Sequence, residues 1–176
     1  MSGNATAIVI VGLLTTLAAR VGAAECGNGL LEDGETCSAC PADCKVETCT
    51  PTTSPYAVVV SLSAPRDQTV VGATLVLAYR GRLANLPGSG ADASVRGRVK
   101  DTPAGSIVAA NDRDYAVRIV VARGKGIPMG KIATVDFDGC KGAPAPTAAD
   151  FSCVIEGCAN AFGNLDDCGC TVAMQQ

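Results

Sequence analysis

The sequence predicts an all-β fold, a β-sandwich or jelly roll of about eight or nine strands, preceded by an N-terminal disulfide-rich knot. The all-β prediction rests on short segments after residue 55 in which apolar and polar residues alternate, and on the Gly, Pro, Asn and Asp residues between them. The knot is predicted because ten cysteines fall into two groups of five, in residues 26–49 and 140–170. An even number of cysteines in a short chain is typical of a disulfide framework.

The alternation predicts which side chains face a core. Side chains of a strand point to opposite faces in turn, so an apolar residue at every second position marks the buried side. Weaker β-prone runs span residues 94–100, 105–110 and 168–173, and Asn111, Asp112 and Asp114 predict a turn. The predicted core residues are Val58, Val60, Leu62, Ala73, Leu75, Leu77, Tyr79, Tyr115, Val117, Ile119, Val121, Ala133, Val135, Phe137, Phe151, Cys153 and Ile155.

Residues 1–24 are predicted to be a signal peptide. The apolar run Ala7–Ala19 is too short to cross the ~30 Å of a bilayer's hydrocarbon core. Small residues at 21–24 fit a cleavage site after Ala23 or Ala24. No Lys or Arg precedes the apolar run, so an uncleaved anchor or a buried helix stays open as the alternative. The prediction is a secreted, extracellular protein with no membrane span after cleavage.

All ten cysteines follow the predicted cleavage site, which favours disulfides in an oxidising compartment. The alternative is a zinc site around Cys37, Cys40 and Cys44. The chain contains no His, which removes a common zinc ligand, although a site of four thiolates stays formally open. The cysteines are Cys26, Cys37, Cys40, Cys44, Cys49, Cys140, Cys153, Cys158, Cys168 and Cys170.

The predicted organisation is a signal peptide at 1–24, the disulfide knot at 25–50, a short linker at 51–55 and a β domain at 56–176. The linker is predicted because residues 51–55 are Pro, Thr and Ser with no apolar period. Since each cysteine group is odd in number, either one bridge crosses between knot and domain, with Cys49 and Cys170 as the suggested pair, or two thiols stay free. A disulfide between Cys140 and Cys153, joining neighbouring predicted strands, is also expected.

The loop between Cys158 and Cys168 is a further expected disulfide loop, because the two cysteines flank it. Such bridges contribute about 2–4 kcal/mol each, chiefly by restricting the unfolded chain.

The segment CGNGLLEDGETCSACPADC, from Cys26 to Cys44, resembles a cysteine-rich repeat of secreted bacterial proteins. The pattern is C-G-[ND]-G, then an acidic residue before G-E-x-C, then C-x-x-D-C. Cys49 lies outside this pattern. The resemblance implies an extracellular module and assigns no activity.

From Tyr56 onward the chain resembles the cohesin-like β-sandwich of cellulosomal scaffolds and exported bacterial proteins. The residues that carry the resemblance are VVVSLSAP at 58–65, GATLVLAY at 72–79, the loop at 87–90, YAVRIVV at 115–121 and GKIATVDF at 130–137. The resemblance implies a sandwich that binds a protein through one sheet face, while relatives of the fold bind carbohydrate. The five C-terminal cysteines depart from typical cohesins, and no binding residue is carried over.

The sequence predicts no enzymatic activity. Without His, nucleophilic Ser-His or Cys-His catalysis is impossible, and the cysteines are expected to be oxidised. Asp136 and Asp138 stand two apart on one predicted strand face, as an acid–base pair would, but a solvated polar face is the favoured interpretation. The net charge of −3, with no cluster of Lys and Arg, argues against nucleic acid or anionic membrane as a partner.

The knot also contains a candidate calcium site. Ca²⁺ takes about six to eight oxygen ligands, and acidic side chains here accompany turn-forming glycines. The spacing is not that of an EF-hand, and a plain acidic surface is the favoured alternative; no other cofactor is expected. The candidate ligands are Asn28, Glu32, Asp33, Glu35 and Asp43.

The predicted function is a non-catalytic extracellular module that binds a protein partner. An apolar set on the outward side of the predicted strands, Val59, Val76, Ala78 and Val120, is the candidate surface, with a buried second layer as the alternative. The other hypothesis is a carbohydrate-binding accessory protein linked to polysaccharide breakdown, for which Tyr56 and Phe162 are the aromatic side chains placed to meet a ligand. A small disulfide-rich inhibitor or effector is a third.

Overall fold

The computed structural model describes residues 49–113 and 115–175. These residues belong to a single compact unit that spans Val46–Gln176. The predicted signal peptide and all but the last two residues of the predicted knot lie outside the described residues.

The described chain is mostly β-structure. It contains a single-turn helix, α1, at Ala93–Gly97 and a 3₁₀ helix at Ala148–Asp150. The strands are β1 Pro51–Ser63, β2 Gly72–Tyr79, β3 Ala84–Asn85, β4 Val99–Lys100, β5 Ile107–Arg113, β6 Ala116–Ala122, β7 Gly130–Cys140, β8 Phe151–Asn160, β9 Gly163–Asn164 and β10 Gly169–Met174.

The strands form two antiparallel sheets of five. In the first sheet the order is β10-β1-β7-β3, and β4 also pairs with β7. In the second sheet the order is β5-β6-β2-β8-β9. All pairings are antiparallel, so the prediction of an all-β chain is confirmed for the described residues.

Both sheets contribute their inner faces to one hydrophobic core. Val58 and Val60 of β1, Leu75 and Leu77 of β2, and Val135 of β7 are fully buried. Three rings lie at its centre, where Phe137 is 4.8 Å from Tyr79 and 5.1 Å from Phe151 between ring centroids. The alternation in the sequence therefore identified the buried side of these strands correctly, because burial of that side is what the pattern encodes.

Tyr115 is the exception among the predicted core residues. Arg113 pairs with Ala116 across the β5–β6 hairpin, so only two residues reverse the chain. Such tight turns require residues with positive φ, and Tyr115 has a φ of 69° and is 37% exposed. The same hairpin corrects the predicted turn, because Asn111 and Asp112 lie within β5.

Residues 94–100, predicted as a weak strand, begin instead as helix α1 and become the short strand β4 only at Val99. Val95 is fully buried, and Val99 packs against the same core. The two valines therefore reach one core from different elements, Val95 from α1 and Val99 from β4.

Residues 51–55, predicted as a linker, form the beginning of β1. Pro51 lies opposite Cys140 and Pro55 opposite Asp138, with a register irregularity between the two pairs. Proline has no N–H to donate to a ladder and is tolerated at strand starts and irregularities. The linker prediction is wrong because pairing with β7 and the adjacent disulfide hold this segment in the sheet.

Each of the six described cysteines is in a disulfide. The suggested disulfide between Cys49 and Cys170 is wrong, and so is the expected disulfide between Cys140 and Cys153. Cys49 bonds Cys140, and Cys153 bonds Cys170. The cause is strand pairing, which the sequence does not reveal: Cys140 ends the strand that pairs with the start of β1.

The second and third disulfides join β8 to β10 and to the segment before it. Cys153 faces the core from the second sheet and Cys170 from the first, so their bond links the two sheets. The expected bond between Cys158 and Cys168 is present and closes the hairpin of β8 and β9.

Candidate functional site

The outer face of the first sheet carries ion pairs. Arg98 donates to both carboxylate oxygens of Asp138, at 2.7 and 2.9 Å, and Lys100 pairs with Asp136. Asp136 and Asp138, which the sequence predicts on one strand face, therefore each form an ion pair with a different cation. Both carboxylate side chains are only 14–15% exposed.

The same face continues with a third pair. Lys131 donates to Asp101 at 2.8 Å, and the hydroxyl of Thr134 donates to the same oxygen at 2.8 Å. The hydrogen bonds from Lys131 and Thr134 hold the pKa of the Asp101 carboxyl below its usual range. The charged side chains described on this face therefore form ion pairs with one another.

The outer face of the second sheet carries exposed aliphatic side chains. Ile107 on β5 is 77% exposed, Val120 on β6 is 37% exposed, and Val154 on β8 is 62% exposed. Val76 on β2 lies directly opposite Val154 in the ladder and is half-buried. We call these four residues, with Ala78 and Ala109, the second-sheet face.

Charged side chains lie beside the second-sheet face, on the same side of the sheet. Arg118 and Glu156 pair with each other at 2.6 Å, and both side chains are more than 40% exposed. Arg113 stands at the end of β5, in the row of the ladder that holds Ala78. This side of the sheet therefore combines aliphatic surface with the Arg118–Glu156 pair and, at one end, the exposed Arg113.

The structure divides the predicted binding residues between the two sheets. Val76 and Val120 lie on adjacent strands of the second sheet. Val59 lies on the first sheet, opposite Thr134, and is not part of the same surface. Tyr56 is half-buried, and its ring covers Gly139: a Cβ at that glycine would lie 2.6 Å from the ring.

Val154 and Ile107, which belong to the second-sheet face, were not among the predicted binding residues. Alternation along β8 places the Val154 side chain on the other face of the strand from Cys153 and Ile155, so the sequence already indicated that Val154 points outward. Ile107 begins an edge strand, and its exposure depends on sheet order, which alternation does not encode.

Phe162 lies in the β8–β9 turn and is 99% exposed. The side-chain oxygen of Asn160 accepts hydrogen bonds from the backbone N–H groups of Phe162 and Gly163, at 2.8 and 3.0 Å. The disulfide between Cys158 and Cys168 closes the same hairpin. The turn is thus held in place while its aromatic ring meets solvent.

A buried polar contact lies between the sheets' aromatic cluster and β5. The Tyr79 hydroxyl donates to the carboxylate of Asp112, with oxygen distances of 3.1 and 3.2 Å. Burial, and then the negative charge of Asp112, raise the pKa of Tyr79 far above its usual range. Asp112 therefore serves Tyr79 as a hydrogen-bond acceptor.

The candidate calcium ligands Asn28, Glu32, Asp33, Glu35 and Asp43 lie outside the described residues. Within residues 49–113 and 115–175, His, Cys, Asp and Glu form no group of three placed to hold a metal ion. No helix in this part of the chain has the length and apolarity needed to cross a membrane.

The described chain is thus defined as a mostly-β protein with two antiparallel sheets and three disulfides. Comparison with known proteins finds no matching family model, no matching curated protein and no matching solved structure. The cohesin-like and cysteine-rich resemblances stay predictions.

Proposed function

We propose that the protein is a secreted, non-catalytic binding module, a β-sandwich of cohesin-like type that docks another protein on its second-sheet face. The observation that carries this proposal is the exposure of Ile107, Val120 and Val154 on one side of the second sheet, on β5, β6 and β8, with β2 and its half-buried Val76 between β6 and β8. Contiguous exposed apolar surface on a folded domain marks interaction sites, because burying it on a partner is favourable.

Charge supports a protein as the occupant of this face. Arg118 and Glu156 neutralise each other, so a strongly charged partner such as a nucleic acid or an anionic membrane gains little by docking there. Sugars stack on aromatic rings, and the strands of the second-sheet face present aliphatic side chains outward. An uncharged, apolar protein surface is the complementary partner.

Secretion is proposed from the disulfides together with the predicted signal peptide. Three bridges among the described residues are typical of proteins that fold in an oxidising compartment. The absence of catalysis is proposed from the lack of His in the sequence and from the pairing of Asp136 and Asp138 with cations.

A polysaccharide is the second candidate ligand, and Phe162 is the observation that favours it. An aromatic ring that is 99% exposed on a hairpin held by a disulfide is a suitable platform for a sugar face. Tyr56 is the other aromatic residue predicted to meet a ligand. Its ring packs over Gly139, so it does not support the same role.

Site-specific photocrosslinking tests the docking face. With p-benzoylphenylalanine in place of Val154, irradiation in culture supernatant and surface extract of the source cells is expected to yield a covalent adduct with one predominant protein. The reason is that Val154 is 62% exposed on the proposed contact and would be covered by a bound partner.

The matched control places the same probe at Thr171, which is exposed on the outer face of the first sheet. It is expected to yield no adduct with that protein. Equal adducts from both positions, no adduct from position 154 in the folded protein, or an adduct only with a second copy of this chain would each contradict the proposal.

A further inference from the structure

A cleft lies at the end of the two sheets where β2 and β7 finish. It has a volume of about 700 Å³ and is formed by the turn after β2 and the segment that follows β7. A cleft of this volume has room for a large side chain and the turn that carries it. The apolar part of its lining consists of Leu83, Ala143, Pro144 and Ala145.

Most of the charged groups in the cleft lining already have partners. The Nε of Arg80 lies 3.6 Å from the Asp150 carboxylate, and Arg82 has a partner as well. The Asp150 carboxylate also accepts hydrogen bonds from the backbone N–H and the hydroxyl of Thr147, at 2.9 and 2.8 Å. Lys141 is exposed. Because the other charges are compensated, the apolar lining decides what the cleft holds.

The two turns that form the cleft are fixed by hydrogen bonds. The N–H of Leu83 donates to the Arg80 carbonyl at 2.9 Å in the turn after β2. The N–H of Ala143 donates to the Cys140 carbonyl at 3.1 Å in the turn after β7. Cys140 is itself held by its disulfide with Cys49. Fixed turns of this kind lower the ordering cost of binding.

The opposite end of the two sheets presents an aromatic ring outside the core. Phe162 is 99% exposed in the β8–β9 turn. The side chain of Asn160 in this hairpin donates to the side-chain oxygen of Gln68 in the β1–β2 loop, at 3.0 Å. The disulfide between Cys158 and Cys168 closes the same hairpin. A rigidly held exposed ring has the properties of an anchor that fills a pocket on a partner.

Strand β8 separates the cleft from the Phe162 ring. Asp150 of the cleft lining directly precedes β8, and Phe162 follows the end of β8 by two residues. A strand of ten residues is about 30 Å long, so the ring cannot enter the cleft of its own chain. Two copies stacked end to end along β8 bring the ring of one copy to the cleft of the next.

The charges beside the two ends are complementary. Asp166 and Asp167 are exposed in the segment that follows the β8–β9 hairpin, whereas Lys141 is exposed at the cleft. Arg66 and Asp67, in the loop to which the hairpin is tied, offset each other. End-to-end stacking therefore places opposite charges, rather than like charges, beside the ring and the cleft.

We infer that Phe162 of one copy inserts into the cleft of a second copy, so that the chain assembles head to tail. The ring packs on the apolar lining, and the inference assigns Phe162 to a protein pocket rather than to a sugar face. Such a contact uses different surfaces on its two partners, so it leaves a free end and extends into a linear assembly. The second-sheet face contains none of these residues, so the two proposals can fail separately.

Sedimentation velocity of the oxidised protein between about 5 and 500 μM tests the inference. The weight-average mass is expected to rise with concentration beyond that of a dimer, because each added copy offers a new free end. Phe162→Ala removes the ring, and Ala145→Asp places a charge in the apolar lining. Each variant is expected to raise the dissociation constant for self-association at least about tenfold.

A mixture of these two variants identifies the two halves of the contact. Phe162→Ala keeps an intact cleft, and Ala145→Asp keeps an intact ring. An equimolar mixture is therefore expected to form a heterodimer of one copy of each variant, with the wild-type dissociation constant and without further growth. A fluorescent label on the Phe162→Ala variant makes this heterodimer visible in the sedimentation profile.

Two control variants change exposed positions away from both ends. Ala173→Asp adds the same charge to an exposed alanine of β10, and Val154→Ala removes an exposed aliphatic side chain from the second-sheet face. Both are expected to keep the wild-type dissociation constant for self-association within about twofold. Circular dichroism checks that all four variants are folded.

Four results would overturn the inference. They are a wild-type protein that stays monomeric at every concentration, a mass that levels off at that of a dimer, equal losses of self-association in the control and test variants, and a mixture of the two folded test variants that forms no heterodimer.

Discussion

Replacing Phe137 with alanine is expected to lower the free energy of unfolding by about 3–5 kcal/mol, the range for truncating a buried aromatic ring. Phe137 is fully buried and contacts both Tyr79 and Phe151, so its removal leaves a cavity where the inner faces of the two sheets meet. Chemical denaturation of the oxidised protein, followed by circular dichroism, measures this change.

The same substitution at Phe162 is the matched control, because this ring is 99% exposed. Phe162→Ala is expected to change the free energy of unfolding by no more than about 0.5 kcal/mol. A loss at position 162 equal to that at position 137 would contradict the assignment of the core, as would a negligible loss at position 137.

Removing the disulfide between Cys49 and Cys140 is the second change with a large expected effect. The bridge spans 91 residues of sequence, and a loop of this length is expected to contribute about 4–5 kcal/mol by restricting the unfolded chain. The double variant Cys49→Ala/Cys140→Ala also frees the start of β1 from the end of β7. Denaturation under non-reducing conditions measures the loss of stability.

The bond between Cys158 and Cys168 offers a comparison with a short loop. Its sequence separation is 10, so Cys158→Ala/Cys168→Ala is expected to cost about 3 kcal/mol, less than the longer bridge. If removing the short bridge costs more than removing the long one, the entropic account of these disulfides fails.

The strands were predictable where one face is buried and the other is solvated. In β2, Ala73, Leu75 and Leu77 alternate with half-buried residues, and a one-residue shift would expose them all. Residues 51–55 were misassigned because nothing in their composition reports the pairing with β7 that holds them in the sheet.

The candidate site was only partly predictable, for the same reason. The side of a strand on which a side chain lies follows from alternation along that strand alone, so Val76 and Val120 were identified as outward-facing from the sequence. Membership in one surface depends on which strands are neighbours, and Val59 belongs to the other sheet. Disulfide pairing also depends on how the strands are arranged in space. Cys170 bonds Cys153 because β10 and β8 place both residues at the shared core.

The cleft between the turns after β2 and β7 was not predictable at all. Arg80 and Lys141 are far apart in sequence, and only the shared end of the two sheets brings them into one lining. Tyr115 was assigned to the core by alternation, and the tight β5–β6 turn is what moves it to the surface.

The most direct test of the proposed docking face is the dissociation constant of the crosslinked partner, once purified, for two matched variants. Val154→Asp adds a charge to the second-sheet face, and Thr171→Asp adds the same charge to the first sheet's outer face. The account predicts that Val154→Asp raises the dissociation constant at least about tenfold, while Thr171→Asp leaves it within about twofold. Equal dissociation constants for the two variants, with both folded, would contradict it.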